Sequence, residues 1–221
     1  MTRSGDWPTI AALKKIPRKR EWLLRLSDGN LVKVMEDDVA RFSLAEGVEV
    51  TEELARDLAS RYEYGRARAL AVRLLKVRPR TEGELRLRLR AGGIGPAAAE
   101  PLLADLKRDG LVNDRLFSRL WAGEKMRLGA TGRRRVVAEL RSKHVDPGTA
   151  EAETDGVYSA EEEIEAAKQL AVRRAAKMGR IAPDVMKRRL YQHLVRRGFE
   201  SDVAAEATHY ALRSSGEKGT E

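Results

Sequence analysis

The chain contains no cysteine. That removes a disulfide framework, a thiolate zinc site and a cysteine nucleophile, and it suits a reducing compartment. Aromatic residues are scarce at 5%, so a core has to be built from Leu, Val and Ala, as in helical proteins. No run approaches the ~18 consecutive apolar residues of a transmembrane helix, and the stretch from Met1 to Pro8 lacks the apolar segment of a signal peptide. A cytoplasmic protein that is not embedded in a membrane is the expectation. The three histidines, His144, His193 and His209, have neither i, i+4 spacing nor an acidic partner in ligand geometry, so no metal site is expected. A G-x-x-x-x-G-K-[ST] loop is absent. Gly92-Gly93-Ile94-Gly95 follows a helical pattern, and helix termination explains it without a nucleotide. Trp7, Trp22 and Trp121 are too scattered to form a base-stacking platform. These absences leave no catalytic constellation and call for no cofactor.

Charge is what the chain has in abundance. Of 221 residues, 35% are charged, with 43 Lys+Arg against 34 Asp+Glu, giving a net +9 and a pI near 9.9. Such a balance points to an acidic partner, nucleic acid first and a nucleoprotein or membrane surface next. The charge is also blocked. Residues 78–145 hold 16 basic and 8 acidic residues, 146–165 hold none and 8, and 166–197 hold 10 and 1. The acidic block reads as a solvated linker running into a helix start at Ser159-Ala160-Glu161-Glu162.

Residues 1–50 read as a small β-containing extension. Trp22–Leu26 and Leu31–Met35 flank Ser27-Asp28-Gly29-Asn30, a hairpin signal that predicts a type I′ turn with two left-handed residues, and Ile10–Ile16 supplies a third strand. From Thr51 onward every signal is helical. Thr51 caps a helix that runs to Val77 ahead of Pro79, Thr81-Glu82-Gly83-Glu84 opens the next, and Pro96 starts a third that ends at Gly110.

The same grammar returns twice. Leu85, Val136 and Leu190 fall in register, as do Leu89, Leu140 and Leu194, then Gly93, His144 and Gly198, then Ile94, Val145 and Phe199, at offsets of 51 and 54 residues. The repeats imply three helices each, over 51–112 (with a long lead-in helix), 113–158 and 159–213, with 214–221 as a flexible tail. Stacked, they predict a mostly α, elongated, curved solenoid-like chain. Pro147–Gly156, the third helix of the second repeat, has almost no large apolar residue and should pack loosely.

Basic residues gather on the middle helix of each repeat: Arg86, Arg88 and Arg90; then Arg133, Arg134 and Arg135; then Lys187, Arg188, Arg189, Arg196 and Arg197. Arginine's planar fork suits phosphate and carboxylate, so these eleven are the candidate contacts to DNA or to an acidic protein. A solvated helix face is the competing reading, with Arg86 and Arg90 simply pairing with Glu82 and Glu84.

Three motifs carry a resemblance: Thr81-Glu82-x-Glu84-Leu85-x-x-x-Leu89; then Leu111-Val112-Asn113-Asp114-x-x-Phe117-Ser118, followed by Gly129 and the Arg135–Leu140 helix; and Arg188-x-Leu190-x-x-x-Leu194-x-x-Arg197-Gly198-Phe199. Over roughly residues 62–212 the chain resembles the RecX family of bacterial regulatory proteins, and the N-terminal hairpin resembles an extension that some members carry. The resemblance implies tandem three-helix repeats and modulation, typically inhibition, of the RecA recombinase. It further implies binding in the groove of the RecA–DNA filament and sequence-independent binding of single- or double-stranded DNA, by a monomer acting in DNA repair, homologous recombination and the SOS response. The alternative is a stand-alone helix-turn-helix regulator, but Pro96-Ala97-Ala98-Ala99-Glu100 lacks base-reading side chains at the start of its would-be recognition helix. A purely structural repeat scaffold is a third reading, and it would show no salt-dependent binding.

Overall fold

The computed structural model describes residues 7–128, 131–179 and 181–217. Gly129 of the family-like motif, and 218–221 of the expected tail, lie outside them. Among the described residues are three strands and ten helices: β1 (Ile10–Lys15), β2 (Glu21–Leu26), β3 (Leu31–Met35), α1 (Glu36–Arg41), α2 (Glu52–Leu75), α3 (Glu82–Ala91), α4 (Pro96–Arg108), α5 (Asp114–Arg127), α6 (Arg133–Ser142), α7 (Pro147–Asp155), α8 (Ala160–Ala176), α9 (Pro183–Arg196) and α10 (Ser201–Glu217). The chain is thus mostly α, with a small antiparallel sheet followed in sequence by tandem three-helix groups. It divides into two compact units, one made of residues up to 78 with 85–111, the other of 79–84 with 112–221.

In the first unit the sheet has the order β1-β2-β3, with Leu13 opposite Leu24 and Trp22 opposite Val34. Its apolar face buries Ile10, Leu24, Leu26 and Val34 against Leu44, Val50 and Leu58. The hairpin turn differs from the expected type I′. Only Gly29 is left-handed (φ 88°). Its N–H donates to the Leu26 carbonyl at 3.0 Å, and the Leu26 N–H donates to the Asn30 carbonyl at 2.8 Å. This is a three-residue loop, a type I corner closed by a left-handed glycine. The Asp28 carboxylate accepts from the Asn30 N–H at 2.9 Å, which holds the corner. Strand β3 runs directly into the short helix α1. Helix α2 is capped as expected, Thr51 Oγ1 accepting from the Leu54 N–H at 3.1 Å, and ends at Leu75, two residues short of Val77.

The second unit opens with the cap of α3, where Thr81 Oγ1 accepts from the Glu84 N–H at 3.1 Å. Asn113, Asp146 and Ser159 cap α5, α7 and α8 through their side chains. Ala122, Val136, Val137, Leu140, Val145, Ala150 and Tyr158 form one core cluster. A second places alanines of α8 and α10 around Leu190, Leu194 and Phe199; small side chains there let the helices approach closely.

The internal register is visible in backbone geometry. Gly93, His144 and Gly198 are all left-handed (φ 74°, 61° and 88°). The residue after each donates its N–H to the leucine carbonyl five positions back: Ile94 to Leu89, Val145 to Leu140, Phe199 to Leu194. Each middle helix therefore ends in the same Schellman closure, and all nine apolar residues of the register are buried.

Candidate nucleic-acid interface

Glycine sets how the middle helices meet the next repeat. Gly132, just before α6, lies against the α9–α10 turn; a Cβ there would fall 2.3 Å from the Gly198 carbonyl carbon and the Phe199 nitrogen. The close approach allows two backbone bonds, Gly132 N–H to the Arg197 carbonyl at 2.9 Å and Arg134 N–H to the Gly198 carbonyl at 3.1 Å. Thr81 and Gly83 repeat the arrangement: Thr81 Oγ1 donates to the Lys143 carbonyl, and a Cβ on Gly83 would strike His144.

This junction brings together cations that the sequence assigns to different repeats. Arg133–Arg135 open α6 and Arg196–Arg197 end α9, and the Arg135 guanidinium also donates to the Arg196 carbonyl at 3.4 Å. The eleven candidates separate by what they touch. Arg86 is held by Glu100 through two bonds of 2.7 and 2.8 Å, a partner that the competing reading does not name. Arg133 is bonded to Asp155, Arg135 pairs with Glu139 at 3.4 Å, and Arg134 approaches Glu200 only at 3.8 Å. Arg197 is half-buried at the junction. Arg88, Arg90, Lys187, Arg188, Arg189 and Arg196 are exposed and form no ion pair within 4.0 Å among the described residues.

The acidic block is where the sequence reading departs most from the structure. It is not a solvated linker. Asp146 caps α7, Glu151 pairs with Arg141 at 2.5 Å, and Asp155 takes Arg133. Glu163, buried, accepts the Arg133 backbone N–H at 2.9 Å and caps α6; burial pushes its carboxyl up, with that hydrogen bond acting against the rise. Glu153, 4% exposed, receives Arg119 and Arg115 at 2.8 Å each, and the two guanidinium groups hold its carboxyl below the usual range. These contacts answer the expectation that α7 packs loosely: it is fastened by Ala150, Thr154 and a buried carboxylate. The second repeat thus neutralises much of its own positive charge, whereas Lys187, Arg188, Arg189 and Arg196 of α9 stay exposed and form no ion pair within 4.0 Å among the described residues.

One member of that surface escapes the sequence reading. Arg174, near the end of α8, lies close enough to His193 to act on it. Burial pulls the imidazole's pKa down, and Arg174, Arg197 and Arg196 pull it further. Arg174 of α8 therefore faces the same side of α9 as His193, beside Arg196 and Arg197. Its signal in the sequence is the Arg173-Arg174 pair, which falls outside the middle-helix pattern. At the start of α4, where the alternative reading puts its recognition helix, Ala98 and Ala99 are buried while Ala97 and Glu100 are exposed. Among the described residues no group of three or more His, Cys, Asp or Glu could hold a metal ion, and no helix is long and apolar enough to cross a membrane.

Comparison with known proteins adds independent evidence. Residues 67–106, 113–152 and 161–208 match family models described as the first, second and third three-helix domains of RecX. A regulatory protein RecX of Amycolatopsis mediterranei is 34% identical over 164 residues, 74% of this chain and 93% of that one. Another, of Thermobifida fusca, is 35% identical over 153 residues, 69% and 82% of the two chains. The fold is similar to a crystal structure of regulatory protein RecX (TM-score 0.70, 21% identity, 89% of this chain and 96% of that one). It is also similar to RecX from Lactobacillus salivarius (TM-score 0.63, 19% identity, 67% and 96%). With three consecutive domain matches and relatives covered over most of their length, this chain belongs to the RecX family of regulatory proteins.

Proposed function

We propose that the chain binds the RecA–DNA filament, in its groove, and restrains recombinase and ATPase activity by occupying space, not by catalysis. The observation that carries this reading is the set Lys187, Arg188, Arg189 and Arg196, exposed and without carboxylate partners among the described residues. The set belongs to a chain whose family resemblance implies RecA regulation. Cations so displayed gain by meeting phosphate, because neutralising a strand releases its condensed counterions. Cations already held by Asp155, Glu139 or Glu100 gain far less, since a bond must break before a new one forms. Binding is sequence-independent, to single- or double-stranded DNA, since backbone contacts carry no base information. The protein acts as a cytoplasmic monomer in DNA repair, homologous recombination and the SOS response. Its working parts are the extension 1–50, the repeats 51–112, 113–158 and 159–213, and the end segment 214–221. The test is RecA ATPase on single-stranded DNA, titrated with this protein at two salt concentrations. Inhibition that weakens as salt rises is the expected result; an unchanged ATPase at saturating protein refutes the reading.

A further inference from the structure

The first unit contains a cleft of about 1400 Å³ among the β1–β2 turn, α1, α2 and the start of α4. Its charges do not cancel. Arg20 is taken by Asp37 at 2.7 Å and Glu36 at 3.5 Å, and Arg61 by Asp57 at 3.2 Å and Asp38 at 3.6 Å. That engages Glu36, Asp37 and Asp38 of α1 and Asp57 of α2, and the remaining lining carboxylate, Glu21, accepts from the Tyr62 hydroxyl at 3.0 Å. Five further cations line the same cleft: Arg18 and Lys19 on the β1–β2 turn, Arg41 at the end of α1, and Arg68 and Arg73 on α2. All five are exposed, and none forms an ion pair within 4.0 Å among the described residues.

Small residues, Gly65, Ala69, Ala97 and Ala98, line the cleft beside larger ones such as Met35 and Tyr64, and Gly65 lets Met35 press onto α2, where a Cβ would sit 2.7 Å from the Met35 Cγ. The space exceeds the ~300–1,000 Å³ of a small-molecule pocket. Along α2, Arg68 and Arg73 are about 7–8 Å apart on the helix axis at ~1.5 Å per residue, on the scale of the step between adjacent phosphates of an extended single strand.

We propose that this cleft is a second nucleic-acid site that seats a single strand by its phosphates, Arg18 and Lys19 gripping from the turn and Arg68 and Arg73 from α2. The exposed Ala69, between the two arginines and the rest of the cleft, lets the sugar–phosphate backbone approach α2, and the cleft reads no base sequence. The three-stranded extension thereby has a task of its own: it supplies one wall of the site. The proposal rests on the reading that the chain works on nucleic acid, but not on which repeat cations meet the filament.

The test uses the full chain and a fluorescent oligo-dT, with affinity measured against salt. Arg68→Gln/Arg73→Gln and, separately, Arg18→Gln/Lys19→Gln are compared with Arg188→Gln/Arg189→Gln, and circular dichroism checks that each variant is folded. Each cleft variant is expected to lose about tenfold in affinity and to flatten the log–log salt slope by ~1.4, at ~0.7 per single-strand phosphate contact. Oligonucleotide binding unchanged in both cleft variants but lost in the α9 variant overturns the cleft while leaving the filament reading intact. Wild-type protein that binds neither oligonucleotide nor filament ends both. Cleft variants that keep oligonucleotide affinity but lose binding to DNA-free RecA make the occupant an acidic protein surface, which also overturns the proposal.

Discussion

Replacing Gly132 by alanine puts a methyl group where the backbone of the next repeat already sits. The new Cβ would lie 2.3 Å from the Gly198 carbonyl carbon and the Phe199 nitrogen and 2.4 Å from the Gly198 oxygen, where ordinary contact begins near 3.4 Å. No flexible side-chain tip is available to move aside, so the junction must open by about 1 Å, typically a ~1–3 kcal/mol overpacking cost. That opening stretches the Gly132–Arg197 and Arg134–Gly198 bonds, now 2.9 and 3.1 Å, toward ~4 Å and out of hydrogen-bond range, each worth ~0.5–1.5 kcal/mol. Since the two costs partly overlap, the net loss is about 2–4 kcal/mol, which at a mid-range urea slope of ~2 kcal/mol/M moves the unfolding midpoint down by roughly 1–2 M. Gly123→Ala is the control. Gly123 sits inside α5 with nothing within 4 Å of the point its methyl group would occupy, so alanine should stabilise by ~0.5–1 kcal/mol. A Gly132→Ala midpoint within ~0.3 M of wild type, or indistinguishable from that of Gly123→Ala, would refute the idea that close backbone approach sets the junction.

Three further outcomes follow from the same geometry. Glu153→Gln should lower the melting temperature at neutral pH. Because Arg119 and Arg115 depress the folded-state pKa, the wild-type advantage is full above the unfolded carboxylate value of ~4.3 and fades as pH falls through the lower folded value; melting curves from pH 7 to 3 that keep a constant gap would contradict the pairing. His144→Gly should stabilise by roughly 0.5–1 kcal/mol, since the residue is left-handed at φ 61° and glycine removes the Cβ penalty; urea unfolding is the check. The His193 imidazole should titrate below the ordinary ~6.5 and move upward in Arg174→Ala and Arg196→Ala, followed by NMR. Its lowered folded pKa means stability falls as the pH drops below the unfolded value.

Local chemistry made much of the fold legible. Thr51, Thr81 and Ser159 announce helix starts because their hydroxyls can reach a backbone N–H three residues on. The left-handed closures at positions 93, 144 and 198 are readable even through His144, since a C-terminal helix turn has few alternatives. The hairpin turn type was not legible: Asp-Gly serves both a two-residue and a three-residue loop, and the choice depends on strand register. The arginine surface was least legible of all. The Arg133 guanidinium finds Asp155 at 22 residues' distance, its backbone N–H finds Glu163 at 30, and Arg119 finds Glu153 at 34. Such pairings depend on how repeats fold onto one another, which no window of neighbouring residues contains. Charge blocks along the sequence therefore do not separate paired from unpaired cations, and the proposed function puts the weight on α9 and not on Arg133 and Arg135.

The most direct test of that weighting is co-sedimentation with RecA filaments on single-stranded DNA, comparing Arg188→Glu/Arg189→Glu/Arg196→Glu with Arg86→Gln. Loss of filament binding in the α9 variant, with Arg86→Gln near wild type, is the predicted result. Undiminished binding by the folded α9 variant would contradict the account.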